Sequence, residues 1–84
     1  MLTGAGGMVK AYILINVKSG KTREVLEKIK KMKEIQKASI VSGPYDIIAL
    51  AQTGNFNSLG DFVVGHIQTL EGVERTITCP VFVE

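Results

Sequence analysis

The stretch Ala38-Ser-Ile-Val-Ser42-Gly43-Pro44-Tyr45-Asp46-Ile47-Ile-Ala-Leu-Ala51 decides the fold. Proline holds φ near about −65° and glycine takes backbone conformations that Cβ-bearing residues resist, so residues 42–46 read as a turn. Apolar, β-prone residues run into it over 38–43 and out of it over 45–52. Two strands joined this tightly can only be an antiparallel hairpin. Tyr45 and Asp46 at the turn are polar chemistry on a rigid mount, where binding sites tend to lie. The structural alternative is that Asp46 only caps the turn through its side-chain oxygen.

Each strand of this hairpin has a helix and a further strand beyond it. Residues 9–17 (VKAYILINV) are rich in β-branched and aromatic residues, and Ile13-Leu14-Ile15 is apolar on both faces. Lys18-Ser19-Gly20-Lys21 breaks that strand, with Ser19 or Gly20 as the expected cap of a helix carrying Val25, Leu26, Ile29 and Met32 on one stripe. The connection through residues 34–37 leads to the hairpin. After it, Thr53-Gly54-Asn55 breaks the third strand, and Asn55 or Asn57 caps a second helix with Leu59, Phe62, Val63, Ile67 and Leu70 on its stripe. Gly72 is the expected terminator of that helix. A last strand over 73–83 alternates Ile77, Cys79, Val81 and Val83 with Thr76, Thr78, Pro80 and Phe82.

The order is β-α-β, β-α-β. Right-handed crossovers put both helices on one face of a four-stranded antiparallel sheet, a ferredoxin-like α+β sandwich. The first and third strands, apolar on both sides, belong in the centre. Pro80, which cannot donate to a ladder, belongs at an edge. The helices leave the other face uncovered, and its apolar residues predict a homodimer built by packing two sheets face to face, with further assembly open to it.

Composition bounds the rest. The 84 residues make one small domain, and such a chain buries only about 60% of its unfolded surface and gains from association. A single cysteine allows no intrachain disulfide, which fits a reducing, cytoplasmic setting. No apolar run is long enough to span a bilayer, so no membrane partner is expected. Residues 1–7 read as a disordered leader or cloning remnant and the domain as residues 8–84. Net charge is +2, but residues 10–37 hold nine Lys or Arg against three Glu. Glu24 to Lys28 and Glu27 to Lys31 are helix-stabilising i,i+4 spacings, so a solvated helix face is favoured over a nucleic-acid patch.

The chemistry-bearing residues are few. His66 is the single histidine, with no second ligand at metal spacing, and reads as half-buried and structural. Cys79 reads as a small core hydrophobe. The paired cysteines of ferredoxin-like metallochaperones, the aromatic pattern of RNA-binding sheets and a phosphate-cradling glycine loop are all missing. Neither a cofactor nor an enzymatic reaction is expected. What remains is Gly43, Tyr45 and Asp46 of the turn with Thr76 and Thr78 of the last strand. The carboxylate suits a ligand ammonium, and backbone amides near Gly43 with the hydroxyls suit a carboxylate, the pairing that amino-acid recognition needs.

The run VKAYILINVKSGK, the turn Gly43-x-Tyr45-Asp46 leading into an apolar strand, LGDFVVGHI and the closing GVERTIT together resemble the effector-binding (RAM) domain of the Lrp/AsnC transcription regulators. The resemblance covers residues 8–84. It implies a dimer assembling into octamer-like rings, with amino acids bound in clefts between dimers. It places Gly43, Tyr45 and Asp46, with Ser42, Thr76 and Thr78, at that cleft. It also implies a role in transcription of amino-acid metabolism, with full-length family members as partners. Only seven Gly-rich residues stand where the family carries a helix-turn-helix, so the chain resembles the stand-alone form, with no direct nucleic-acid contact expected. The alternatives are a small dimeric ferredoxin-like enzyme using His66, and a nucleic-acid-binding module using the basic first helix.

Overall fold

A computed structural model describes residues 8–83. The reading of residues 1–7 as a leader lies outside them. The elements are β1 (Val9–Val17), α1 (Thr22–Lys30), β2 (Ile35–Ile40), β3 (Ile47–Thr53), α2 (Phe56–Phe62), a π-turn over Val63–Ile67, and β4 (Val73–Pro80). The sheet order is β2-β3-β1-β4, with every neighbouring pair antiparallel. This is the ferredoxin-like βαββαβ arrangement, with β1 and β3 central and Pro80 on an edge strand.

The burial pattern of β1 alternates as a strand between two unequal environments must. Ala11, Ile13, Ile15 and Val17 are buried beneath the helices, while Leu14 and Asn16 on the other face are half-buried and Tyr12 is exposed. β3 does the same: Ile47, Ala49 and Ala51 face the helices, and Ile48 and Leu50 face away. From the helices, Val25, Ile29, Leu59, Phe62, Val63 and Ile67 close the core. Burying each large aliphatic side chain stabilises the fold by roughly 1.5–3 kcal/mol. The open face carries Tyr12, Leu14, Ile48, Leu50 and Ile77, because residues directly opposite in register share a face.

Several boundaries differ from the sequence expectation. β2 starts at Ile35, ahead of the expected Ala38, because Ile35 is buried under the helices opposite Ala51. It stops at Ile40, and β3 begins at Ile47 rather than at residue 45, since Asp46 turns its amide to the Ile15 carbonyl. Neither Ser19 nor Gly20 caps α1. Lys21 holds that position without a side-chain bond, and Gly20 instead supplies a positive φ of 87° in the turn before it. Of the two expected caps of α2, Asn55 and Asn57, it is Asn55 that holds the position, its Oδ1 accepting from the Ser58 amide at 2.7 Å. Glu24 pairs with Lys28 at 3.7 Å, but Lys31 is already the C-cap of α1 and has left the helix.

The second helix does not run straight to Gly72. After Phe62 it widens into a π-turn, marked by the Gln68 amide donating to the Val63 carbonyl at 2.9 Å. Gly72 lies beyond the Gln68 cap, in the turn into β4, with φ 100°. A Cβ there would stand 3.0 Å from Lys21 Cβ, so this glycine is required both by its dihedral and by the approach of α1. β4 ends at Pro80 rather than running to Val83.

Candidate functional site

Three consecutive residues at the end of β1 fasten the 42–46 turn. The Asp46 amide donates to the Ile15 carbonyl at 3.0 Å, the Asn16 Nδ2 donates to the Pro44 carbonyl at 2.9 Å, and the Val17 amide donates to Asp46 Oδ2 at 2.8 Å. A fourth bond, from the Val41 amide to the Asp46 carbonyl at 2.9 Å, closes the turn on itself. Asp46 therefore caps a neighbouring strand, not merely its own turn. It does so just past the last β1/β3 pair, Ile15 with Ile47, where the Val17 amide has no further β3 carbonyl to meet and needs another acceptor.

The turn presents Ser42, Gly43 and Pro44 exposed and Tyr45 and Asp46 half-buried. Gly43 has φ 149°, a conformation that favours glycine, and nothing stands within 4 Å of the position of a Cβ. The glycine is thus demanded by backbone shape and leaves open space above it. Backbone approach by a ligand is compatible with such a surface.

Thr76 and Thr78 are paired in register with Ile15 and Ile13, so both face the helices and are half-buried. They stand on β4, with β1 between them and the turn, which separates them from the Asp46 strand by roughly 10 Å at two strand spacings. Within one protomer the structure does not bring them into one concavity with residues 42–46. Thr76 lies instead beside a concavity of about 370 Å³ formed with Gln68, Val73, Glu74 and Arg75, and its Oγ1 is 3.0 Å from Gln68 Nε2.

Two expectations are corrected here. Cys79 is not in the core. It is exposed on the open face, directly opposite Tyr12, because the helix-facing positions of β4 are those of Thr76, Thr78 and Pro80. His66 is exposed rather than half-buried, its ring tilted against Phe62 with centroids 5.8 Å apart. The π-turn accounts for this by rotating the residues after Phe62 relative to a straight helix. His66 borders a shallow concavity of about 200 Å³ with Glu34, Ser58, Asp61 and Phe62. Among the described residues no group of three or more metal-ligating side chains is placed to hold an ion.

Asn16, Gln68 and Arg75 are the residues that sequence reasoning missed near this end of the sheet. Asn16 was legible in part, since an amide inside an otherwise apolar strand needs a partner. Nothing in the sequence marked Gln68.

The chain matches a known family. The family model described as the Lrp/AsnC ligand binding domain matches residues 10–84, and the chain belongs to that family. The HTH-type transcriptional regulator FL11 of Pyrococcus furiosus is 37% identical over 81 residues, covering 94% of this chain and 54% of its own. The chain spans about half the length of the curated relatives it matches. TTHA0845 from Thermus thermophilus is similar in structure with a TM-score of 0.86 at 33% identity, over 90% of this chain and 95% of that one. The transcriptional regulator NMB0573 from Neisseria meningitidis shares the fold, with a TM-score of 0.83 at 20% identity over 90% and 51% of the two chains. No described helix is long and apolar enough to cross a membrane.

Proposed function

We propose that the chain is an amino-acid-sensing module, not an enzyme, that works through assembly. Two copies pack their open sheet faces together, the dimers join into an octamer-like ring, and an amino acid binds between dimers against the 42–46 turn. Asp46 meets the ligand ammonium, with Ser42, Gly43 and Tyr45 beside it. Thr76 and Thr78 line the same cleft only where a neighbouring dimer closes the distance between β4 and the turn. The module acts in the cytoplasm on transcription of amino-acid metabolism, by joining full-length Lrp/AsnC regulators, and does not itself contact nucleic acid.

One observation carries this reading: a carboxylate is held still at a glycine turn, at the edge of an uncovered apolar sheet face. The relatives are transcription regulators, and NMB0573 is solved as a complex with L-Met, so amino acids are the ligand class to test first. A ligand can shift assembly only by binding the assembled and separate forms unequally.

A thermal-shift screen against the amino acids tests it. A specific ligand at 100 times its dissociation constant adds about 2.7 kcal/mol. The informative variant is Asp46→Asn, which keeps an oxygen for the Val17 amide while removing the charge. Stabilisation by no amino acid, or an unchanged response in Asp46→Asn, ends the assignment of this site. The enzymatic alternative rests on His66, and is set aside if His66→Ala costs no activity. The nucleic-acid alternative requires salt-sensitive retardation of DNA by the isolated chain.

A further inference from the structure

Asn16 stands on the open face of the sheet, in line with Tyr12 and Leu14, and its side-chain Nδ2 donates to the Pro44 carbonyl at 2.9 Å. Its neighbours Ile15 and Val17 hold the turn with backbone groups, which any residue would provide. Asn16 alone does so with a side chain. Its cross-strand partner Arg75 has a side chain that offers donors only, so that guanidinium gives the Asn16 amide nitrogen no acceptor to compete with Pro44.

We propose that Asn16 is a positioning residue for the 42–46 turn, and that it links the turn to the covering of the open sheet face. An amide-to-carbonyl bond gains strength when water is excluded from it. The Asn16 bond is exposed in the single chain. A second sheet packed over Tyr12, Leu14 and Ile48 screens it, tightens the Pro44 carbonyl, and steadies the Asp46 carboxylate two residues on. Association then prepares the turn for a ligand, and a ligand that favours the tightened turn favours association by the same amount. The positioning role rests on the bonds above, and only the link rests on the function proposed here.

Amide hydrogen exchange on the full chain separates the two. The amides of Val17, Val41 and Asp46 bond into the turn, whereas those of Val25 and Leu59 bond within helices. In Asn16→Ala, the first three should exchange about fivefold faster, the effect of losing one ordinary hydrogen bond, with Val25 and Leu59 unchanged. Turn amides at the parent rate, or all five amides accelerating equally, overturn the positioning role. In the parent protein the three turn amides should slow as concentration rises through the association midpoint, and in Asn16→Ala they should not. A chain that does not associate, or turn rates equal on both sides of the midpoint, overturns the link. Neither readout uses an amino acid, so failure of the ligand assignment shows separately in the thermal-shift screen.

Discussion

Asp46 Oδ2 accepts a hydrogen bond from the Val17 amide at 2.8 Å, joining residues 29 positions apart in the chain. The acidic residue of the turn is therefore also the cap of the central strand. A bond to a charged acceptor is stronger than one between neutral groups, although partial exposure here reduces its value.

Asp46→Ala should accordingly destabilise the fold by about 1–2 kcal/mol, and Asp46→Asn by about half that or less. Urea denaturation of the two variants beside the parent measures the difference. Equal losses would mean that the charge, not the oxygen that Asn retains, holds the Val17 amide, and no loss in either would leave Asp46 free for a ligand alone.

Two glycines with positive φ should respond differently to a methyl group. At Gly43 the position is open, so Gly43→Ala carries only the dihedral strain, about 1–2 kcal/mol. At Gly72 the new Cβ meets Lys21 Cβ at 3.0 Å and Val25 Cγ2 at 3.3 Å, so Gly72→Ala should cost more, about 2–4 kcal/mol. Denaturation midpoints that rank Gly43→Ala as the more damaging contradict the described turns.

The open face should associate through its apolar centre. Leu50→Asp places a charge among Tyr12, Leu14 and Ile48 without touching the helix-covered core. Sedimentation velocity should show a monomer with native circular dichroism. Ile13→Asp, one residue from Leu14 but fully buried, should not fold at all, because an unpaired charge in the core costs several kcal/mol. A Leu50→Asp protein that associates like the parent places the interface elsewhere.

Asn55 caps α2 with its side chain, and Asn55→Ala should lose about 1 kcal/mol, whereas Asn57→Ala, inside the first turn of the helix, should lose less than half of that. Thermal unfolding resolves the pair, since 1 kcal/mol moves the midpoint of a domain this size by about 4–8 °C. Equal effects would remove the assigned cap.

The fold was legible in the chain because its signals are local. Continuous apolar, β-prone runs along Val9–Val17 and Ile47–Thr53, helical spacing from Val25 to Ile29 and from Leu59 to Ile67, and a Gly-Pro turn too short for a crossover together leave one economical topology. Central position followed from strands apolar on both faces, and the cap of α2 was narrowed to Asn55 or Asn57 by their place before a helical stripe. The 42–46 turn was legible as a candidate site only as a set of residue types, joined to a family resemblance.

Tertiary structure decided what depended on partners distant in sequence. Whether Cys79 or Thr78 faced the core turned on the β1/β4 register, since a shift of one residue exchanges the two faces. Whether His66 was buried depended on a π-turn, which adds one residue to a helical turn and which no spacing rule announces. The role of Gly72 came from the approach of Lys21 and Val25 on another element. The anchoring of the turn by Ile15, Asn16 and Val17 arose only when β1 was laid beside it. Periodicity and turn chemistry are written in neighbouring residues, but hydrogen bonds across roughly thirty positions exist only once the chain has closed on itself.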